Sequence, residues 1–110
     1  MAEISQKDIK DLSRLLRKDL VMDAAQINLR KQYTLDKLQD ILADQIERLL
    51  DNDPNYLVNL LYRIDVPEHQ FKKALEAPGL MAKSELLAKM VIERELKKIE
   101  TRKRFSHLAQ

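Results

Sequence analysis

Oxygen-bearing side chains stand at alternate positions in the stretch 51-DNDPN-55, where Asp51, Asp53 and Asn55 have the spacing that opens a calcium-binding loop. Such a loop also needs glycine at its sixth position and a bidentate glutamate at its twelfth. Those positions hold Tyr56 and Tyr62 here, and the run that follows Tyr56 is apolar. We therefore predict a capped corner between two helices, with no metal ion and no cofactor.

Groups that could act in catalysis are few. Only His69 and His107 titrate near neutrality without perturbation, and the serines lack a nucleophile motif. Cysteine is absent, which excludes thiol chemistry and fits a reducing cytoplasm. Carboxylate pairs such as Glu93 and Glu95 have the spacing expected on the surface of a charged helix. We predict that the chain is not an enzyme, and no small-molecule substrate is evident.

Basic residues collect towards the end of the chain. Residues 1–55 carry nine basic and eleven acidic side chains, a net charge of −2, whereas residues 56–110 carry eleven and seven, a net charge of +4. Most of the excess lies in 93-ERELKKIETRKRFSHLAQ-110. The candidate contacts with a partner or an anion are Lys97, Lys98, Arg102, Lys103 and Arg104.

Three interpretations of this basic run stay open. Its cations suit phosphates, with Phe105 placed to stack on a base, or they suit an acidic protein partner. They also suit a solvated helix end, in which Glu93–Lys97 and Glu100–Arg104 form i,i+4 pairs. Membrane binding is not expected, because no tryptophan and few large apolar residues flank the cluster.

The elements that must position these residues are helical. One glycine and three prolines leave little material for hairpins, so the fold class is all-α, a compact bundle of about five helices with a long C-terminal helix. Apolar periodicity places the helices over about 6–18, 35–51, 54–64, 66–76 and 80 or 84 to 104 or 105.

Local signals mark the ends of the helices. The predicted N-terminal caps are Ser5, Thr34, Asp53 before Pro54, and Asp65, the last with Pro67 in the first turn and Glu68 completing a capping box. Ala77-Pro78-Gly79 should break the chain before the last helix. Residues 20–33 are either an extension of the first helix or a connection.

The last helix carries a wide apolar stripe, formed by Leu86, Leu87, Met90, Val91, Leu96 and Ile99. Packing within the chain is the commoner use of such a stripe. The alternative is that part of it extends past the short helices that cover it and leaves an apolar patch for homodimerisation.

The stretches 57-LVNLLYRIDVPEHQFKKAL-75 and 91-VIERELKKIETRKRF-105 resemble a group of small helical bacterial proteins that have no assigned function. The resemblance covers roughly residues 50–105. It implies a compact, cytoplasmic, all-helical domain, and it carries no reaction, cofactor, partner or residue role.

These observations predict one helical domain over residues 1–110, with residues 1–5 and 105–110 frayed and no secretory or membrane-spanning segment. The predicted function is a non-enzymatic helical module for protein–protein interaction or self-association, with an unknown protein or a second copy as partner. The alternative is a nucleic-acid-associated protein that uses the basic C-terminal helix.

Overall fold

The computed structural model describes residues 4–108, and the side chains of residues 4–106. This part of the chain forms helices and contains no strand. The helices are α1 (Gln6–Asp19), α2 (Leu35–Asn52), α3 (Pro54–Ile64), α4 (Glu68–Leu75) and α5 (Leu80–Leu108). The predicted all-α bundle with a long C-terminal helix is confirmed.

Helix α5 is the element against which the other four pack. Its 29 residues span about 43 Å at 1.5 Å per residue, close to the 45 Å long axis of the molecule. Helix α2 runs along it and makes the largest contact. The core between them is built mainly from leucine and isoleucine, including Leu38, Leu42, Ile46, Leu87, Val91, Ile92 and Ile99.

Three of the predicted caps are confirmed. The side chains of Ser5, Thr34 and Asp53 each accept a hydrogen bond from the backbone N–H three residues later, at 3.1, 3.1 and 3.2 Å. Pro54 opens α3, where its missing N–H has no helical partner to lose. The corner at residues 51–55 therefore contains the predicted cap.

The prediction that Asp65 caps α4 is wrong. Asp65 ends α3 in the left-handed conformation, with φ at 72°, and α4 begins only at Glu68. Pro67 precedes α4 without a side-chain capping bond, so the predicted capping box does not form. Aspartate tolerates the left-handed region, and here it turns the chain at the end of α3. Its carboxylate instead pairs with Arg94 of α5 at 3.1 Å.

Residues 20–33 form a connection rather than an extension of α1. Asp23 Oδ1 accepts hydrogen bonds from the N–H groups of Ala25 and Gln26, both at 3.0 Å, which makes a side-chain turn. Leu20 and Ile27 are buried and anchor the connection to the core.

At the other end, α5 continues to Leu108, past its predicted end at Arg104 or Phe105. The predicted fraying of residues 1–5 and 105–110 stays a prediction, and residues 1–3, 109 and 110 lie outside the described residues. Gly79 stands before α5 with φ at 87°, in agreement with the predicted break. Over residues 4–108, every helix is too short or too polar to cross a lipid bilayer.

Candidate functional site

The five predicted basic contact residues do not form one surface. Three of them have carboxylate partners: Lys98 with Asp19 and Glu95, Lys103 with Asp8, and Arg104 with Glu100. Lys97 and Arg102 have none among the described ion pairs. The helix also turns the five in different directions, so that Lys97 borders a hollow beside α4 while Arg102 and Lys103 face α1.

The predicted pair of Glu93 with Lys97, two residues that the structure describes, does not form, whereas Arg104 Nη2 lies 3.0 Å from Glu100 Oε1 as predicted. Both side chains of the second pair are mostly exposed. An exposed pair of this kind adds only a few tenths of a kcal/mol to helix stability. Arg104 is therefore better explained as part of a solvated helix face.

Arg102 and Lys103 belong to a groove between α1 and the last turns of α5, which we call the basic groove. It has a volume of about 450 Å³ and is lined by Lys7, Asp11, Arg14, Leu15, Lys18, Ile99, Arg102, Lys103 and Ser106. Successive helical turns supply these positions (7, 11, 14 with 15, and 18 on α1; 99, 102 with 103, and 106 on α5), so each set lies along one helical face.

The basic groove combines an apolar floor with a cationic rim. Leu15 and Ile99 are only 7% and 6% exposed, and the rim holds five basic side chains against one carboxylate, that of Asp11. Asp11 pairs with Arg14 at 3.3 Å. Cations gathered along one groove raise the local concentration of anions and speed their association.

Three of the rim cations have no carboxylate partner among the described ion pairs: Lys7, Lys18 and Arg102. Each of them is exposed. An incoming anionic group can therefore contact these side chains without first breaking an ion pair of the protein itself.

Lys103 joins the two helices that form the groove. Its ammonium contacts the carboxylate of Asp8 in the first turn of α1. The hydrogen bond from Lys103 lowers the pKa of Asp8, against the opposing effect of burial, and Ser5 and the charge of Lys7 lower it further. The contact joins the start of the first helix to the end of the last.

One turn before the groove residue Ile99, α5 carries a carboxylic acid whose place differs from the sequence-based expectation. Glu95 was predicted on a charged surface, but it is 0% exposed. Lys98 Nζ lies 3.6 Å from Glu95 Oε2 and 3.6 Å from Asp19 Oδ2, so it joins Glu95 to the last residue of α1. Burial first, and then the neighbouring Asp19, raise the pKa of Glu95 to about 8.

The sequence does contain a signal for the burial of Glu95. It lies four residues after Val91 and four before Ile99, which places it on the buried face of α5. The pairing with Asp19 carries no such signal, because it joins two helices that are distant in the chain.

The remaining candidate groups give no further site. His69 is exposed, and the side chain of His107 lies outside the described residues. Asp51, Asp53 and Asn55 are exposed, and Asp53 is engaged as a cap. Across residues 4–106, no three histidine, cysteine or acidic side chains gather as metal ligands.

No protein-family model, no curated protein and no solved structure matches this chain. The resemblance of residues 50–105 to small helical bacterial proteins stays a prediction.

Proposed function

We propose that this chain is a non-enzymatic protein-interaction module that binds an acidic segment of a partner protein in the basic groove. The observation that carries the proposal is the pairing of an apolar floor, Leu15 and Ile99, with five cations along the rim. A partner segment that alternates acidic and apolar side chains would match both parts of the groove.

The same groove fits a nucleic acid less well. A phosphodiester backbone offers charge but little to cover an apolar floor, and the carboxylate of Asp11 on the rim would repel phosphates. The cations that the sequence gathers near the end of the chain are spread over several faces of α5, and three of five are paired. Nucleic-acid binding is therefore the alternative function, and the experiment described below tests it as well.

Self-association through α5 has less support from the packing. Leu87, Val91 and Ile99 of the predicted stripe are buried within this chain, and Met90 and Leu96 are half-buried. The sequence places Leu86 in the apolar stripe, but its side chain is 43% exposed. Most of the apolar surface of α5 therefore stabilises the fold of its own chain.

The groove side chains suit binding better than catalysis. Guanidinium groups such as those of Arg14 and Arg102 stay protonated in proteins, so they attract anions but do not accept protons. Ser106 has no base among its hydrogen-bond partners; its hydroxyl donates to the carbonyl of Lys103 at 2.9 Å.

The test is a fluorescence-anisotropy titration with a labelled amphipathic helical peptide, which carries leucine along one face and glutamate on both sides of that face. The variant K18E/R102E changes two groove cations that have no ion-pair partner, so the fold should be kept. The matched control K31E/K89E makes the same change of charge at exposed sites outside the groove lining. We expect binding that weakens at high salt, is lost in K18E/R102E and persists in K31E/K89E.

Two further probes separate the alternatives. A peptide with glutamine in place of glutamate should not bind, and a single-stranded oligonucleotide of equal charge should bind more weakly than the acidic peptide. Preferential binding of the oligonucleotide would favour the nucleic-acid alternative. Equal loss of peptide binding in both charge variants would show that net charge, and not the groove, governs association.

A further inference from the structure

Glu95 is a buried acid with no neutralising hydrogen bond. Neither of its carboxylate oxygens has a hydrogen-bond partner among the described residues. The charged groups that face it are Asp19 from α1 and Lys98 from α5 itself. Helix α2, which packs along α5, turns the apolar side chains of Leu38 and Leu42 into the core. Two carboxyl groups and one ammonium therefore share this part of the interior.

Glu95, Asp19 and Lys98 form a trio, and their charge balance favours one protonation state of Glu95. With both carboxylates ionised, the three groups carry a net charge of −1, and Glu95 is 0% exposed to bulk solvent. A proton on Glu95 brings the net charge to zero, and it supplies the donor that two facing carboxylates lack. Burial of an ionised acid without a donor is costly, so the neutral form is favoured.

We infer that the buried carboxyl group of Glu95 keeps its proton at neutral pH and turns it towards Asp19, and that loss of this proton loosens α1 from α5 and weakens binding in the basic groove. The second part rests on the proposed function. The step breaks the O–H bond of the Glu95 carboxyl group and passes the proton to water or hydroxide. Asp19 provides the route, because its side chain is 22% exposed.

The trio is placed to act on the groove. Two ion pairs join α1 to the second half of α5: Asp8 with Lys103 at one end, and Asp19 with Lys98 at the other. Lys18 and Ile99, the direct neighbours of Asp19 and Lys98 in the chain, line the groove. Repulsion between two ionised carboxylates would therefore move one wall of the groove relative to the other.

The experiment is a nuclear magnetic resonance titration of the full chain, with carbon-13 in the glutamate carboxyl groups and in the leucine and isoleucine methyl groups. We expect Glu95 to titrate near pH 8, and the methyl signals of Leu15 and Ile99 to shift with the same midpoint. In E95Q, which mimics the protonated acid, those methyl shifts should be absent. The control E93Q changes an exposed acid on the same helix and should behave as the wild type.

Affinity for the acidic peptide is measured over the same pH range. We expect it to fall about fivefold or more across the Glu95 midpoint in the wild type and in E93Q, and to stay constant in E95Q. Should E95Q fail to fold, D19N gives the second test, because removal of the neighbouring charge should lower the midpoint of Glu95.

The possible failures are distinct. Titration of Glu95 at or below the ordinary range of a glutamate would overturn the claim that Glu95 is protonated at neutral pH, independently of the peptide-binding result. Peptide binding with the same pH dependence in the wild type and in E95Q would overturn the link to the groove and leave the proposed function intact. No peptide binding at any pH would end the proposed function, while the carboxyl titration would still decide the proton site.

Discussion

The ammonium of Lys103 contacts the carboxylate of Asp8, and this contact fixes the end of α5 against the start of α1. Without it, Lys103 would belong only to a charged helix end. With it, the last turns of α5 become one wall of a groove whose other wall is α1. The basic groove is therefore a product of tertiary packing, and neither helix carries it alone.

The Asp8–Lys103 contact leads to a prediction for D8N. The lowered pKa of Asp8 in the folded state means that its contribution to stability is present above the unfolded pKa and is lost as the pH falls through the folded value. Because Lys103 is half-exposed, we expect D8N to reduce the free energy of unfolding by less than about 1 kcal/mol at neutral pH. Urea denaturation should show the difference vanish in acid.

The control for D8N is D51N, which removes an exposed carboxylate that has no ion pair among the described residues. A loss of stability that persists in acid, after Asp8 has been protonated in the folded chain, would contradict the assignment to the ion pair.

Glu95 should make the free energy of unfolding depend on pH in the opposite direction to Asp8. Its folded pKa is raised to about 8 from an ordinary value of 4.5, so the folded chain holds a proton that the unfolded chain releases. The resulting stability is present in full below the unfolded pKa and is lost progressively as the pH rises towards the folded value. We expect the free energy of unfolding of the wild type to fall between about pH 5 and about pH 8 relative to that of E95Q.

Chemical denaturation at several pH values, on the wild type and E95Q side by side, measures this difference. A difference between the wild type and E95Q that stays constant over the same range would show that Glu95 is already ionised in the folded chain.

Val21 is predicted to destabilise the fold. It is a β-branched residue with φ at 52°, and it is 63% exposed, so it bears left-handed strain without much compensating burial. We expect V21G to raise the free energy of unfolding by roughly 1 kcal/mol. Thermal unfolding against A24G, an exposed position without positive φ, separates relief of strain from the general cost of glycine.

The corner at residues 51–55 is predicted to depend on a cap and not on a metal ion. D53A removes the acceptor of the Tyr56 N–H and should cost about 1 kcal/mol. N55A, which removes no capping bond, should cost less. Calcium or a chelator should leave the melting temperature of the wild type unchanged, and a rise with calcium would revive the metal interpretation.

Local signals account for what could be predicted from the sequence. Ser5, Thr34 and Asp53 cap helices through bonds that span three residues, so their roles can be recognised from spacing alone. Asp65 shows the limit of such signals. An aspartate two residues before a proline suits the start of one helix and the left-handed end of another, and only the packing of α3 against α5 decides between them.

The groove shows a second limit. The sequence gathers basic residues at its end, but helical geometry distributes them over several faces, and their partners Asp8 and Asp19 come from the first helix. The cations of α1, such as Lys7 and Lys18, look like ordinary solvated positions between apolar ones. Only tertiary structure brings them beside Arg102.

The most direct test of the basic groove is to map the amide and methyl shifts of the full chain as the acidic helical peptide is added. We predict that the shifted signals belong to the groove lining, above all Leu15, Ile99 and Arg102, and that those of Lys97 and the hollow beside α4 stay in place. Saturable shifts centred on that hollow, or no shifts at low salt, would contradict binding of the acidic peptide in the basic groove.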